Sequence, residues 1–80
     1  MKGFVFFRDT HPEAENDIFA ARTVTLQDEQ VSTIARHNKT RPYVSGWFVE
    51  QADLKKHCKR VREATARKEA PGLFKRLEAE

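Results

Sequence analysis

The single cysteine, Cys58, is the feature that most constrains how this chain can fold. A chain of 80 residues buries a modest share of its surface, and chains of that size often rely on disulfides, a metal or a partner. One cysteine cannot close a bridge within the chain, so disulfides are excluded as that support. A lone thiol also suits a reducing compartment. The length allows a single domain over residues 1–80. Six Phe, one Trp and one Tyr are enough to seed a core, so the chain does not read as disordered although 34% of its residues are charged.

The apolar run Phe4–Phe7 spans four residues before Arg8 interrupts it. A secretion signal needs a core of roughly 7–15 apolar residues, and a membrane span needs roughly 20. The expectation is a soluble, cytoplasmic protein with no membrane partner.

The same run is rich in β-formers and reads as a strand buried on both faces. Asp9-Thr10-His11-Pro12 breaks it, and Pro12 pushes His11 out of the α region. Ile18 to Val24 alternates, with Ile18, Ala20 and Val24 on one side and Phe19, Ala21 and Thr23 on the other. It reads as a second strand, antiparallel to the first. Thr25 with Asp28 resembles a capping box opening a helix. Val31, Ile34, Ala35 and Asn38 follow at helical spacing, and Asn38 and Pro42 supply the stop. His37 would then be a cap charge at that helix's C-terminus. Tyr43 to Val49 reads as a third strand. A long helix is expected from about Gln51 to Glu69, with Leu54, Cys58, Val61 and Thr65 in one stripe. Pro71-Gly72 ends it, and Leu73, Phe74 and Leu77 form a last helical turn against the body. The predicted fold is α+β: a small antiparallel three-stranded sheet with two helices packed on one face, in the order β-β-α-β-α, plus a short C-terminal helical turn.

Charge is distributed unevenly. Residues 1–54 carry six basic and eight acidic side chains, whereas residues 55–80 carry nine basic and four acidic. The positive end is where an anionic partner is to be sought. On the expected helix, Lys55, Lys56, Lys59, Arg60, Arg62 and Arg67 lie opposite the apolar stripe. They are candidates for contact with phosphates or with an acidic protein surface. Tyr43 and Trp47 are candidate interface anchors on an outward sheet face, for a partner or for a second copy of the chain, so both a monomer and a homodimer are open.

Lys2-Gly3-Phe4-Val5-Phe6-Phe7 resembles the central strand motif of RNA-recognition domains over six residues. The resemblance implies aromatic side chains on an open sheet that stack bases. Val5 departs from the small residue of that motif, and Asp9 from its last aromatic. His11, Glu13, Glu15 and Asp17 fit no zinc or calcium ligand spacing, so no metal and no cofactor is expected. Adjacent residues on a helix diverge by about 100°, so His57 and Cys58 cannot act as base and nucleophile. Cys58 reads as an inert buried thiol. With no glycine-rich phosphate loop, paired cysteines or catalytic triad order, the chain is not expected to be an enzyme.

Two functions follow as expectations. The first is a non-catalytic protein-interaction module that acts by stoichiometric occupancy of a partner surface. In size and style it is similar to small accessory and inhibitor proteins of phages and mobile elements, anti-CRISPR-type proteins included, and no motif carries that likeness. The alternative is a nucleic-acid-binding protein using the basic segment 51–69.

Overall fold

The computed structural model of the chain describes residues 1–37, 44, 45 and 47–79. Six strands alternate with helical segments: β1 (Phe4–Asp9), β2 (Ile18–Arg22), β3 (Gln30–His37), β4 (Val44–Ser45), β5 (Phe48–Glu50), α1 (Gln51–His57), β6 (Cys58–Val61), α2 (Glu63–Glu69) and α3 (Pro71–Glu78). All pairings are antiparallel. The order across the sheet is β4-β3-β2-β1-β6, and β5 runs along the same side of β3 as β4. The result is a curled, five-position antiparallel sheet with three helices.

This corrects the expected three-stranded sheet and its two helices on one face. The α+β class stands, but the element order, the strand number and the helix placement do not. The first error lies at β3. Val31, Ile34 and Ala35 follow the i, i+3, i+4 rule of a helix, yet residues 30–37 are a strand. A β-bulge is the cause. Ala20 pairs with Ala35 and Ala21 with Thr33, leaving Ile34 as the extra residue. Ile34 and its neighbour Ala35 therefore reach the same core instead of alternating. Thr25 caps no helix. Its hydroxyl donates to the Arg22 carbonyl at 3.1 Å and accepts from the Ser32 amide at 3.1 Å, bracing the β2–β3 turn. His37 ends a strand opposite Ile18 and caps no helix. Residues 38–43, including Asn38 and Pro42, lie outside the described residues.

The second error lies at residues 51–69, where strand β6 interrupts the expected long helix. The end of α1 is clamped to the corner after β1: the His57 carbonyl accepts from the Thr10 amide at 2.8 Å and from the Thr10 hydroxyl at 2.7 Å. Residues 58–61 then pair with β1 from Asp9↔Cys58 to Phe6↔Val61. Three-residue spacing keeps Cys58 and Val61 on one side of a helix but puts them on opposite faces of a strand. Cys58 packs with the core beneath α1, and Val61 with the core beneath α2 and α3. The strand thus carries the chain around the sheet edge from one face to the other.

Both faces of the sheet are therefore covered. On one face Val5, Phe7, Phe19, Ala21 and Val31 meet Leu54 of α1. On the other, Phe6, Ile18, Ala20, Ile34 and Ala35 meet Ala66, Ala70, Leu73, Phe74 and Leu77. The continuous apolar run Val5-Phe6-Phe7 is buried on both sides, as its sequence indicates. Rings meet in each core, Phe6 against Phe74 at 5.0 Å and Phe7 against Phe19 at 5.5 Å between centroids. Residues 71–78 are a full helix opened by Pro71, more than the short last turn expected. Among the described residues no helix is long and apolar enough to cross a membrane.

Candidate functional site

The six basic residues assigned to one helix face lie on three elements. Lys55 and Lys56 are exposed in the last turn of α1. Lys59 and Arg60 are exposed on β6, and Arg62 is exposed just before α2. Because β6 is a strand, Lys59 and Arg60 point to opposite faces, so no single face gathers all six. Arg67 is already engaged: its guanidinium stands 4.1 Å from the Phe74 ring centre and bonds Glu63 at 3.1 Å. Lys55, Lys56, Lys59, Arg60 and Arg62 make no ion pair among the described residues. They surround an outer sheet edge, since β6 ends the strand order. A cleft of about 440 Å³ runs beside it, lined by Phe4, Val5, Phe6, Arg60, Val61, Arg62 and Glu63.

Of the two aromatic anchors, Tyr43 lies outside the described residues. Trp47 is half-buried, and its amide donates to the Thr33 hydroxyl at 2.9 Å while its carbonyl accepts from the Thr33 amide at 2.8 Å. Its ring lies 4.9 Å from the Arg36 guanidinium. Among the described residues the exposed aromatic on this edge is Phe48, with 63% of its surface open. The base-stacking surface implied by the strand motif does not form, because Phe6 is buried under α3 and Phe4 is half-buried. Gly3 of that motif serves the turn before β1, at φ +87°.

A second constellation gathers where β1, α1 and β6 meet. Asp9 is buried at the end of β1. Its Oδ1 accepts from the His11 amide at 3.0 Å and contacts His11 Nδ1 at 2.9 Å, while Oδ2 accepts from Arg36. Arg36 Nε faces Asp17 Oδ2 at 4.0 Å. Pro12 holds His11 extended, at φ −57° and ψ 144°, so the ring turns back toward β1. The far nitrogen of that ring, Nε2, lies 3.5 Å from Asp53 Oδ1. The ring itself stacks on His57 with centroids 4.0 Å apart. Asp53 and His57 are four residues apart on α1 and so share a face.

Burial alone would push the Asp9 carboxyl up. The His11 amide, the His11 ring and the Arg36 guanidinium outweigh it and hold the group below its ordinary range. The bond to Asp9 holds the His11 imidazole above its ordinary value, with Asp53 and Glu13 adding to the effect. Asp17 goes the other way, raised by burial against the pull of Arg36. Burial, and then the carboxylates of Asp9 and Asp53, push the Cys58 thiol up to about 11.

Cys58 is therefore protonated at neutral pH and a poor nucleophile. A thiol reagent is expected to label it at least tenfold more slowly in the native protein than in denaturant. Equal rates in the two states would contradict this reading, and Cys58→Ala should leave partner binding intact.

Comparison of the chain with protein-family models, with curated proteins and with solved structures finds no match. The reading of this protein rests on its own residues. In the sequence His11 stands with Glu13, Glu15 and Asp17, Asp9 reads only as a strand breaker and a departure from the strand motif, and nothing singles out Asp53 or Arg36. The Asp53–His57 spacing was the available signal. What joins them to His11 is the Asp9↔Cys58 pairing of β1 with β6, a contact between residues distant in sequence.

Proposed function

We propose that the chain is a non-catalytic binding module that occupies an anionic surface of a protein partner, using the β6 edge. The observation that supports this reading is the contrast among its cations. Arg8 is bound to Glu69 at 2.8 Å, Arg36 to Asp9, and Arg67 to Glu63. Lys55, Lys56, Lys59, Arg60 and Arg62 remain exposed and unpaired among the described residues, around an open strand edge. Charged residues on an edge strand oppose pairing with another strand of like charge, while an acidic segment would meet both charge and unpaired backbone groups there. The adjoining cleft is lined by Arg60 and Arg62 together with Phe4. A cytoplasmic setting is part of the proposal, since a lone cysteine suits a reducing compartment.

A second reading, nucleic-acid binding, draws on the same arginines beside Phe4, a combination that suits a phosphate backbone. Salt separates the two. Binding that neutralises several phosphates weakens steeply and linearly on a log–log plot, with a slope near −0.7 to −0.9 per phosphate.

Replacing Lys59, Arg60 and Arg62 together with Glu is the direct test. These side chains are exposed, so the fold should lose about 1 kcal/mol or less. Recovery of the native partner by cross-linking and mass spectrometry should fall at least tenfold. Equal recovery with the parent and the variant would refute the assignment to this edge. Tight binding of a defined duplex or single strand with a steep salt slope would favour the second reading.

A further inference from the structure

We propose that His11, Asp53 and His57 form a binding site for a divalent transition-metal ion of the zinc type, which clips α1 onto the corner that follows β1. The ligand atoms of these three residues all lie within 4.8 Å of one another. Ligands held at 2.0–2.1 Å around a tetrahedral ion are roughly 3.3 Å apart, so side-chain rotation alone can close the set. Two imidazoles with one carboxylate suit zinc, and they do not suit calcium or magnesium, which take oxygen ligands.

Three independent features prepare the site. Asp9 Oδ1 contacts His11 Nδ1 at 2.9 Å, and an ionised carboxylate can only accept. With the proton held on Nδ1, the neutral ring offers Nε2, 3.5 Å from Asp53 Oδ1, to an ion that takes the place of the second proton. This is the carboxylate–histidine arrangement that orients metal-binding imidazoles. Asp53 and His57 stand four residues apart on one helical turn, the spacing that points two side chains at one ion. The backbone of His57 is fixed by two hydrogen bonds from Thr10, at 2.8 and 2.7 Å, so the stem that carries the ring is held at this corner without an ion. Asp53 is half-exposed, and His11 is its ion-pair partner among the described residues, so it is available to turn.

An ion here would join residues from two distant segments. That is the help an 80-residue chain without a disulfide can use. The proposal concerns a structural clip and stands apart from the β6 edge.

The test is titration of Zn²⁺ into the full chain at neutral pH, followed by calorimetry and by NMR of the histidine rings. One ion should bind per chain, with both His11 and His57 resonances moving. At about a hundredfold excess over Kd, the melting temperature should rise by about 10–20 °C. His57→Ala should weaken binding at least a hundredfold and Asp53→Asn about tenfold, both with an unchanged circular dichroism spectrum. Asp9 acts only through His11, so its test is conservative. Asp9→Asn should weaken binding about 10–100-fold while the bound ion still moves both rings. Cys58→Ser should bind as the parent does. The proposal is overturned if the parent shows no binding below about 1 mM, if His57→Ala and Asp53→Asn both retain the parent's affinity, or if only Cys58→Ser loses it.

Discussion

Replacing Leu73 with alanine is expected to destabilise the protein by about 2–5 kcal/mol, and replacing Phe19 by about 3–5 kcal/mol. Both side chains are fully buried, on opposite sides of the sheet. Leu73 is the more telling of the two. A terminal turn merely resting on the body would lose about 1 kcal/mol or less. A helix whose Leu73, Phe74 and Leu77 complete one of the two cores must lose far more, because the sheet beneath cannot collapse into the space. Phe19 supports the other core, where it stacks on Phe7 and lies 5.5 Å from the Arg36 guanidinium. Domains of this length are stable by only about 4–12 kcal/mol, so each substitution removes a large part of the total. Urea unfolding should show a lower midpoint with the slope unchanged. A Leu73→Ala unfolding free energy within about 1 kcal/mol of the parent's would mean that α3 is peripheral.

The second large effect is expected at Asp9. Asp9→Ala removes the partner of a guanidinium held between Phe19 and Trp47, and breaking such a buried pair costs about 3–5 kcal/mol. Replacing both members, Asp9→Ala with Arg36→Met, should recover part of that loss, because the unpaired guanidinium is gone, and the recovery stays incomplete because buried Asp17 also loses Arg36. The same residues set the response to pH. Asp9 is held below its ordinary 3.8, so its contribution is present above that value and drains away as pH falls through the folded one. His11 is held above its ordinary 6.5, so its contribution is present below that value and is lost as pH rises through the folded one. Asp17 is raised by burial, and its protonation partly offsets the acid loss. The parent should be most stable on the acid side of neutrality, between these two limits. In Asp9→Asn both flanks should flatten in part, since Arg36 and His11 lose their nearest carboxylate and keep only Asp17 at 4.0 Å and Asp53 at 3.5 Å. Unchanged flanks in that variant would place the pH dependence elsewhere.

Each piece of the reading was legible where local chemistry alone decides. The strand at Phe4–Phe7 declared itself because an apolar run of β-formers has few other stable states. The alternation of Ile18, Phe19, Ala20 and Ala21 matches their division between the two cores. The extended conformation of His11 follows from Pro12 alone. The excess of positive charge after residue 54 is a matter of composition, and its exposure was a safe expectation for lysine and arginine. The candidate metal ligands were half legible: Asp53 and His57 share a spacing, but nothing near them in sequence points to His11.

What only the tertiary structure decided is which of two periodicities each ambiguous segment obeys. Val31, Ile34 and Ala35 have helical spacing, but β2 offers a full row of backbone partners, and a bulge at Ile34 reconciles the pattern with a strand. Cys58 and Val61 sit in a helical stripe, but the open side of buried β1 requires hydrogen bonds that a helix cannot supply, so residues 58–61 are drawn into the sheet. That same pairing swings His57 over His11 and spreads the basic residues along an edge. Spacing along a chain records which side chains are apolar; the unsatisfied backbone groups of a neighbouring strand settle which of the possible structures can bury them.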